Sequence, residues 1–125
     1  MSQNLLYSKT HEWVRVDGDT ASVGLTAFAL EALTDLVHIQ LPEVGAQVSA
    51  GQPFGEIESV KAVSDLNSPV NGEVVEVNSG VDLEHLAEDP YNKGWFIKVK
   101  MSDKAALGSL LDDAAYKKQC EEEQH

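Results

Sequence analysis

The stretch EIESVKAVSD (56–65) sets one cation, Lys61, among the carboxylates of Glu56, Glu58 and Asp65, with Val60 before it and Ala62 after it. PFGEIES (53–59) and AVSDL (62–66) have the β-branched, alternating composition of strands, so SVKA (59–62) reads as the turn of a hairpin. A type I turn needs no glycine and takes Val60 and Lys61 at its centre. The Asn-Gly or Asp-Gly pair that marks many tight hairpins is absent here.

Outward from this hairpin the same pattern repeats. HEWVRV (11–16), TASVGL (20–25), DLVHIQL (35–41), GEVVEV (72–77) and WFIKVK (95–100) are short, rich in β-branched residues and separated by turn chemistry. Asp17-Gly18, the glycines Gly45 and Gly51 around AQVSA (46–50), and Asn71-Gly72 in SPVNG (68–72) mark the breaks, with Asn71-Gly72 expected to form a tight turn. Period-two alternation puts Val37, Ile39 and Leu41 on one strand face against Leu36, His38 and Gln40. It likewise sets Trp95, Ile97 and Val99 against Phe96, Lys98 and Lys100. One-sided burial of this kind predicts a mainly β fold, a small sandwich or barrel.

Helices are expected in three places. Thr26 can cap TAFALEALTD (26–35), where Phe28, Leu30, Ala32 and Leu33 form an apolar face. VDLEHLA (81–87) has room for a second short helix. Asp112 and Asp113 favour the start of a C-terminal helix over 112–122, but Glu121, Glu122 and Glu123 then oppose its macrodipole. Order is expected to fade after Cys120, leaving a frayed tail at 122–125.

With 125 residues, the chain has the length of one domain spanning 1–125. A formal charge of −12 repels phosphate backbones and anionic membrane surfaces, so neither nucleic acid nor membrane is an expected partner. The same charge favours a monomer that docks transiently with other proteins. MSQNLLYSKTHEW (1–13) carries neither an apolar signal stretch nor an Arg-rich transit composition, so a full-length, unprocessed chain is expected in the cytoplasm. Cys120 is the single cysteine, so no internal disulfide forms, and the neighbouring carboxylates oppose its thiolate.

Conventional catalytic motifs are missing. His11, His38, His85 and His125 are scattered without HExxH-like spacing, no glycine-rich phosphate loop occurs, and no GxSxG appears. No metal site and no catalytic residue is expected. Lys61 can be an ordinary surface lysine, a Schiff-base nucleophile, or an acceptor modified by another enzyme. Glu56, Glu58 and Asp65 favour its ammonium form, the wrong one for a nucleophile. An acceptor needs only exposure, a rigid scaffold and recognisable neighbours.

HEWVRV (11–16), VGLTAFALEAL (23–33), LPEVGAQVSAG (41–51), ESVKAVSD (58–65), SPVNGEVVEVN (68–78), DPYNKGW (89–95) and LLDDAAY (110–116) together resemble the glycine cleavage H-protein family, in the same order and over nearly the whole chain. The resemblance implies a barrel-sandwich hybrid related to lipoyl and biotinyl domains, with short helices and a C-terminal helix. It implies a non-enzymatic carrier with lipoate in amide linkage on Lys61. That arm would take an aminomethyl group at the pyridoxal-phosphate P-protein, present it to the T-protein, and be reoxidised by the L-protein. It further implies that Glu56, Glu58, Ser59, Val60 and Ala62 are recognised by the lipoate-attaching enzyme, and that Thr10, Glu12 and Asp65 line a cleft for the loaded arm. This chain departs from common patterns at Thr34, where relatives often have glycine, and at Phe28, where tyrosine or histidine is frequent.

Two alternatives stay open. A biotinyl carrier shares the fold, but biotin acceptors usually flank the lysine with methionine, and here Val60 and Ala62 stand there. The other is an acidic interaction module whose Lys61 is never modified. A lipoyl carrier can also serve as a relay to 2-oxoacid dehydrogenase domains, a use the residues do not separate from glycine cleavage.

Overall fold

A computed structural model describes residues 5–33, 35–78, 80–91 and 93–123. Among these, nine strands form two antiparallel sheets: β1 (Leu5–Tyr7), β2 (Glu12–Asp17), β3 (Thr20–Leu25), β4 (Leu36–Gln40), β5 (Gln47–Val48), β6 (Pro53–Ser59), β7 (Val63–Asn67), β8 (Gly72–Val77) and β9 (Ile97–Met101). The larger sheet runs β1-β2-β3-β9-β8-β5 and the smaller β4-β6-β7. Helix α1 (Ala27–Leu33) follows β3, and α2 (Asp113–Glu123) lies near the end of the chain. The fold is the mainly β, lipoyl-domain-like barrel-sandwich with a short helix and a C-terminal helix.

Alternating strands supply the core. Val14, Val23, Ile57, Leu66, Val74, Ile97 and Val99 are fully buried, drawn from both sheets. A second cluster of Tyr7, Trp13 and Tyr116 fastens α2 to the larger sheet, with the Tyr7 and Tyr116 rings stacked 4.5 Å apart. Trp13 faces Gly24 across the β2–β3 ladder, and its Nε1 donates to the Pro90 carbonyl at 2.9 Å. A Cβ on Gly24 would stand 2.7 Å from the indole, so only glycine lets that ring lie flat on the strand.

Several expectations change. Val37 does not share the inward face with Ile39 and Leu41: a bulge between Leu36 and His38 turns Val37 outward at 52% exposure, while Leu36, Ile39 and Leu41 pack on the core. Phe96 is buried rather than outward, because β9 begins at Ile97 and the Phe96 amide donates to the Val23 carbonyl at 2.7 Å. Asn71-Gly72 makes no hairpin, since β7 and β8 belong to different sheets. Instead Asn71 Oδ1 accepts from the Ala50 amide at 2.8 Å, and Gly72 sits so close to Lys100 that a Cβ would meet the Lys100 carbonyl oxygen at 2.1 Å. The helix expected over 81–87 reduces to a 3-10 turn at Leu86–Glu88.

At the C-terminus, Asp112 caps α2 by accepting from the Ala115 amide at 2.8 Å. Order does not fade after Cys120: α2 continues to Glu123, whose carboxylate is held by His11 and by Gln119. Gln124 and His125, and with them the end of the expected tail, lie outside the described residues.

Gly24→Ala should destabilise the fold by about 1–3 kcal/mol through overpacking against Trp13. Urea unfolding of the two proteins measures it, and an unchanged midpoint would mean that the indole moves aside freely.

Candidate functional site

The β6–β7 hairpin ends in a turn fixed by one hydroxyl. Ser59 donates its amide to the Ala62 carbonyl at 2.8 Å, and its Oγ accepts from the amides of Lys61 at 3.3 Å and Ala62 at 3.2 Å. The Val60 amide donates to the Asp35 carbonyl at 3.1 Å, which ties the turn to the start of β4. Among the described residues, the non-glycine positions with positive φ are His11 and Asp35, so Val60 and Lys61 keep the negative φ of a turn without glycine. Ser59 is buried, its hydroxyl committed to the turn, whereas Val60, Lys61 and Ala62 are exposed. No ion pair among the described residues involves Lys61.

Glu56 and Glu58 are exposed on one face of β6, as the alternation predicts. Across the ladder Glu56 pairs with Asp65 and Glu58 with Val63, and on the other side they face Gln40 and His38. The outer face of the smaller sheet beside Lys61 is therefore acidic.

Thr10 and Asp65 line one cavity of about 220 Å³, with an apolar wall that includes Leu25, Phe28 and Ile57. Glu12 lies beneath it rather than in its wall. It is 1% exposed; its Oε1 accepts from Ser8 Oγ at 2.5 Å and from the Thr10 hydroxyl, and its Oε2 accepts from the Asn67 amide at 3.1 Å. Burial pushes the Glu12 carboxyl above its usual range, and the hydrogen bonds from Ser8, Thr10 and Asn67 partly offset that.

The sequence reading missed His11 and Glu123, which line the same cavity. His11 Nε2 lies 3.1 Å from Glu123 Oε1, its Nδ1 lies 2.8 Å from the Tyr116 hydroxyl, and its ring stacks on Phe28 at 4.9 Å. Positions 112 residues apart carry no local signal that they meet. Thr34 lies outside the described residues. Elsewhere Asp82, Glu84 and His85 cluster on the surface, but all three are exposed, and the 2.7 Å contact of His85 Nδ1 with Asp82 belongs to a local turn.

A small antiparallel sheet packed against a larger one, with Lys61 exposed at the tip of its hairpin, is a lipoyl-domain-like barrel-sandwich. The sequence profile described as "Glycine cleavage H-protein" matches residues 5–123. Over 124 residues the chain is 52% identical to the glycine cleavage system H protein of Rubrobacter xylanophilus, covering 98% of this chain and 96% of that one. Against the mitochondrial H protein of Oryza sativa subsp. indica it is 51% identical over 121 residues, covering 95% and 74%. The crystal structure of a glycine cleavage system H protein from Mycobacterium marinum matches with a TM-score of 0.85 and 43% identity, covering 95% and 98%. The chain belongs to the glycine cleavage H-protein family, the lipoyl carriers of the glycine cleavage system.

Two outcomes follow from this geometry. Ser59→Ala should cost about 1–2 kcal/mol and speed hydrogen exchange at the Lys61 and Ala62 amides, since both lose their acceptor. Glu12 has a raised folded-state pKa, so its stabilising contribution is full below about pH 4.3, the unfolded carboxyl value, and is lost as pH rises through the folded value. Glu12→Gln should remove that part of the pH slope whatever it does to absolute stability. Unfolding midpoints measured across pH 4 to 8 check it, and an unaltered slope would assign the titration elsewhere.

Proposed function

We propose that Lys61 is the lipoate acceptor and that the chain acts as a non-enzymatic carrier. The observation that carries this reading is Lys61 itself, exposed and with no ion pair among the described residues, at the centre of a turn pinned by Ser59 and Asp35. A linear arm fits here: Lys61 is exposed, and Ser64, three residues further on and near the start of β7, lines an apolar-walled cavity. Attached at Lys61, lipoate would supply disulfide–dithiol chemistry for taking up an aminomethyl group and passing it on.

The chain's own residues do the rest. Glu56 and Glu58 make the surface that the attaching enzyme meets around Lys61 acidic. With the exposed Val60 and Ala62 they form the surface that enzyme reads, while Ser59 acts from below by holding the turn. Asp65 offers the cleft a carboxylate for an ammonium. The Thr10 hydroxyl, its proton committed to Glu12, offers lone pairs beside it.

On this reading the partners are the P-protein, T-protein and L-protein of glycine cleavage and a lipoate-attaching enzyme. The chain serves them as a cytoplasmic monomer that binds neither nucleic acid nor membrane. Its charge of −12 supports transient docking, and no helix among the described residues is long and apolar enough to cross a membrane.

Intact-mass measurement after incubation with lipoate, its ligase and ATP tests the proposal. The wild type should gain one lipoyl adduct and Lys61→Arg none. Acylation takes the formal charge from −12 to −13 (−12 minus 1), so the two forms should separate on anion exchange. An adduct that persists in Lys61→Arg, or a biotin adduct in its place, refutes the assignment.

A further inference from the structure

We infer that the groove along the open edge of β4 is a resting site for the uncharged lipoyl arm, lined from β4 by Val37 and Ile39 and from the segment after β8 by Val81 and Leu83. This rests on the reading of Lys61 as the lipoyl lysine. The groove, of about 390 Å³, lies at the opposite edge of the smaller sheet from Asp65 on β7. Among the described residues its lining holds no carboxylate, lysine or arginine, in a chain of charge −12. The cavity beside β7, by contrast, carries Asp65 and Glu123.

β4 begins beside the lysine turn. The Val60 amide donates to the Asp35 carbonyl at 3.1 Å, and Leu36 and His38 pair with Ser59 and Glu58. The near end of the groove, at Val37, is therefore about one strand spacing, ~5 Å, from the hairpin end. An amide-linked lipoyl arm has about eleven bonds from the lysine Cα to its ring, the length of roughly four extended residues, ~13 Å. That reach covers Val37 and Ile39. Another cavity without carboxylates, lined by Ala50, Asn67 and Ala105, lies at the far end of β7 and beyond such a reach.

The bulge between Leu36 and His38 supplies the wall. It turns Val37 out of the core and onto the groove, where an exposed valine on an edge strand is a liability unless something covers it. The arm is mostly methylene and dithiolane and has no charge, so lying on Val37 and Ile39 removes apolar surface of both from water. Attachment makes a weak groove sufficient. A short tether holds the ring at an effective concentration on the order of mM, so a groove that binds free lipoamide only in the millimolar range is about half filled. An arm bearing an ammonium would lose water there without meeting a carboxylate, so the groove selects the uncharged arm.

The test uses the full chain with one lipoyl adduct confirmed by mass, beside Val37→Ser and Val44→Ser. Val44 is also exposed and does not line the groove. Methyl resonances of Val37, Ile39, Val81 and Leu83 should shift between the unmodified and lipoylated chains. Reduction of the arm's disulfide by a neutral phosphine should be about two- to threefold slower than that of free lipoamide, return toward the free rate in Val37→Ser, and stay slow in Val44→Ser. Shifts confined to Leu25, Leu33 and Ile57 put the neutral arm in the cavity beside Asp65 and overturn the inference. Reduction as fast as free lipoamide without methyl shifts leaves the arm in solvent and overturns it too. Shifts that vanish on dilution assign the groove to a neighbouring molecule's arm, with the same consequence. All three leave the carrier reading standing, whereas failure of Lys61 to take lipoate removes both.

Discussion

The buried carboxylate of Glu12 joins the two sheets to the rim of the cleft. It leaves β2 in the larger sheet, receives the Asn67 amide at the end of β7 in the smaller one, and receives the Ser8 and Thr10 hydroxyls from the β1–β2 turn. A carboxylate removed from water is expensive unless its oxygens are hydrogen-bonded, and both are engaged here. Its raised pKa records that the compensation is incomplete. A hydrophobic residue could fill the volume, but it could not orient the turn in which His11 adopts a φ of 74° and projects toward Tyr116. Specific placement of that turn is what the polar centre gives the fold.

Lysine and cavity share a hairpin, with Lys61 in its turn and Asp65 on β7. Asp65 lies four residues beyond Lys61, and from Val63 to Leu66 β7 pairs with β6 in unbroken antiparallel register, so the spacing between the two residues is set by the hairpin rather than by a flexible loop. β7 is also an edge of its sheet, and an open edge invites pairing with other chains. Here the Asn67 amide is capped by Glu12, and the cavity wall brings α1 and the end of α2 over the strand. The cover that protects the edge also makes the cleft.

Much of this was legible in the residues. β3, β6 and β8 have the bounds that composition and turn residues predict, because their alternation is regular and each is closed by a turn or a serine. β1 and β5 were not legible, since three and two residues carry no period, and they exist through pairing with β2 and β8. Val37 misled because a bulge shifts the phase of alternation without leaving a mark in composition. Asn71-Gly72 misled because its usual turn competes with a crossover between sheets, which tertiary packing decides. At the site, Lys61 stood out by charge contrast, while Thr10, Glu12 and Asp65 came from family resemblance. The structure brings Thr10 and Asp65 together and sets Glu12 under them.

The C-terminal acidic run shows how a local rule can fail informatively. Three glutamates at the negative end of a helix should fray it, and α2 nevertheless remains helical through Glu123. What opposes fraying is tertiary: Tyr116 packs on Tyr7, Gln119 Nε2 reaches the Lys9 carbonyl at 3.0 Å, and Glu123 meets His11. A sequence selected only for helix stability would place a cation in that last turn, where it would complement the dipole. A lysine at 123 would instead give up the contacts that Glu123 makes with His11 and Gln119. Local helix stability and tertiary contact pull in opposite directions at this residue, and the carboxylate there follows the contact.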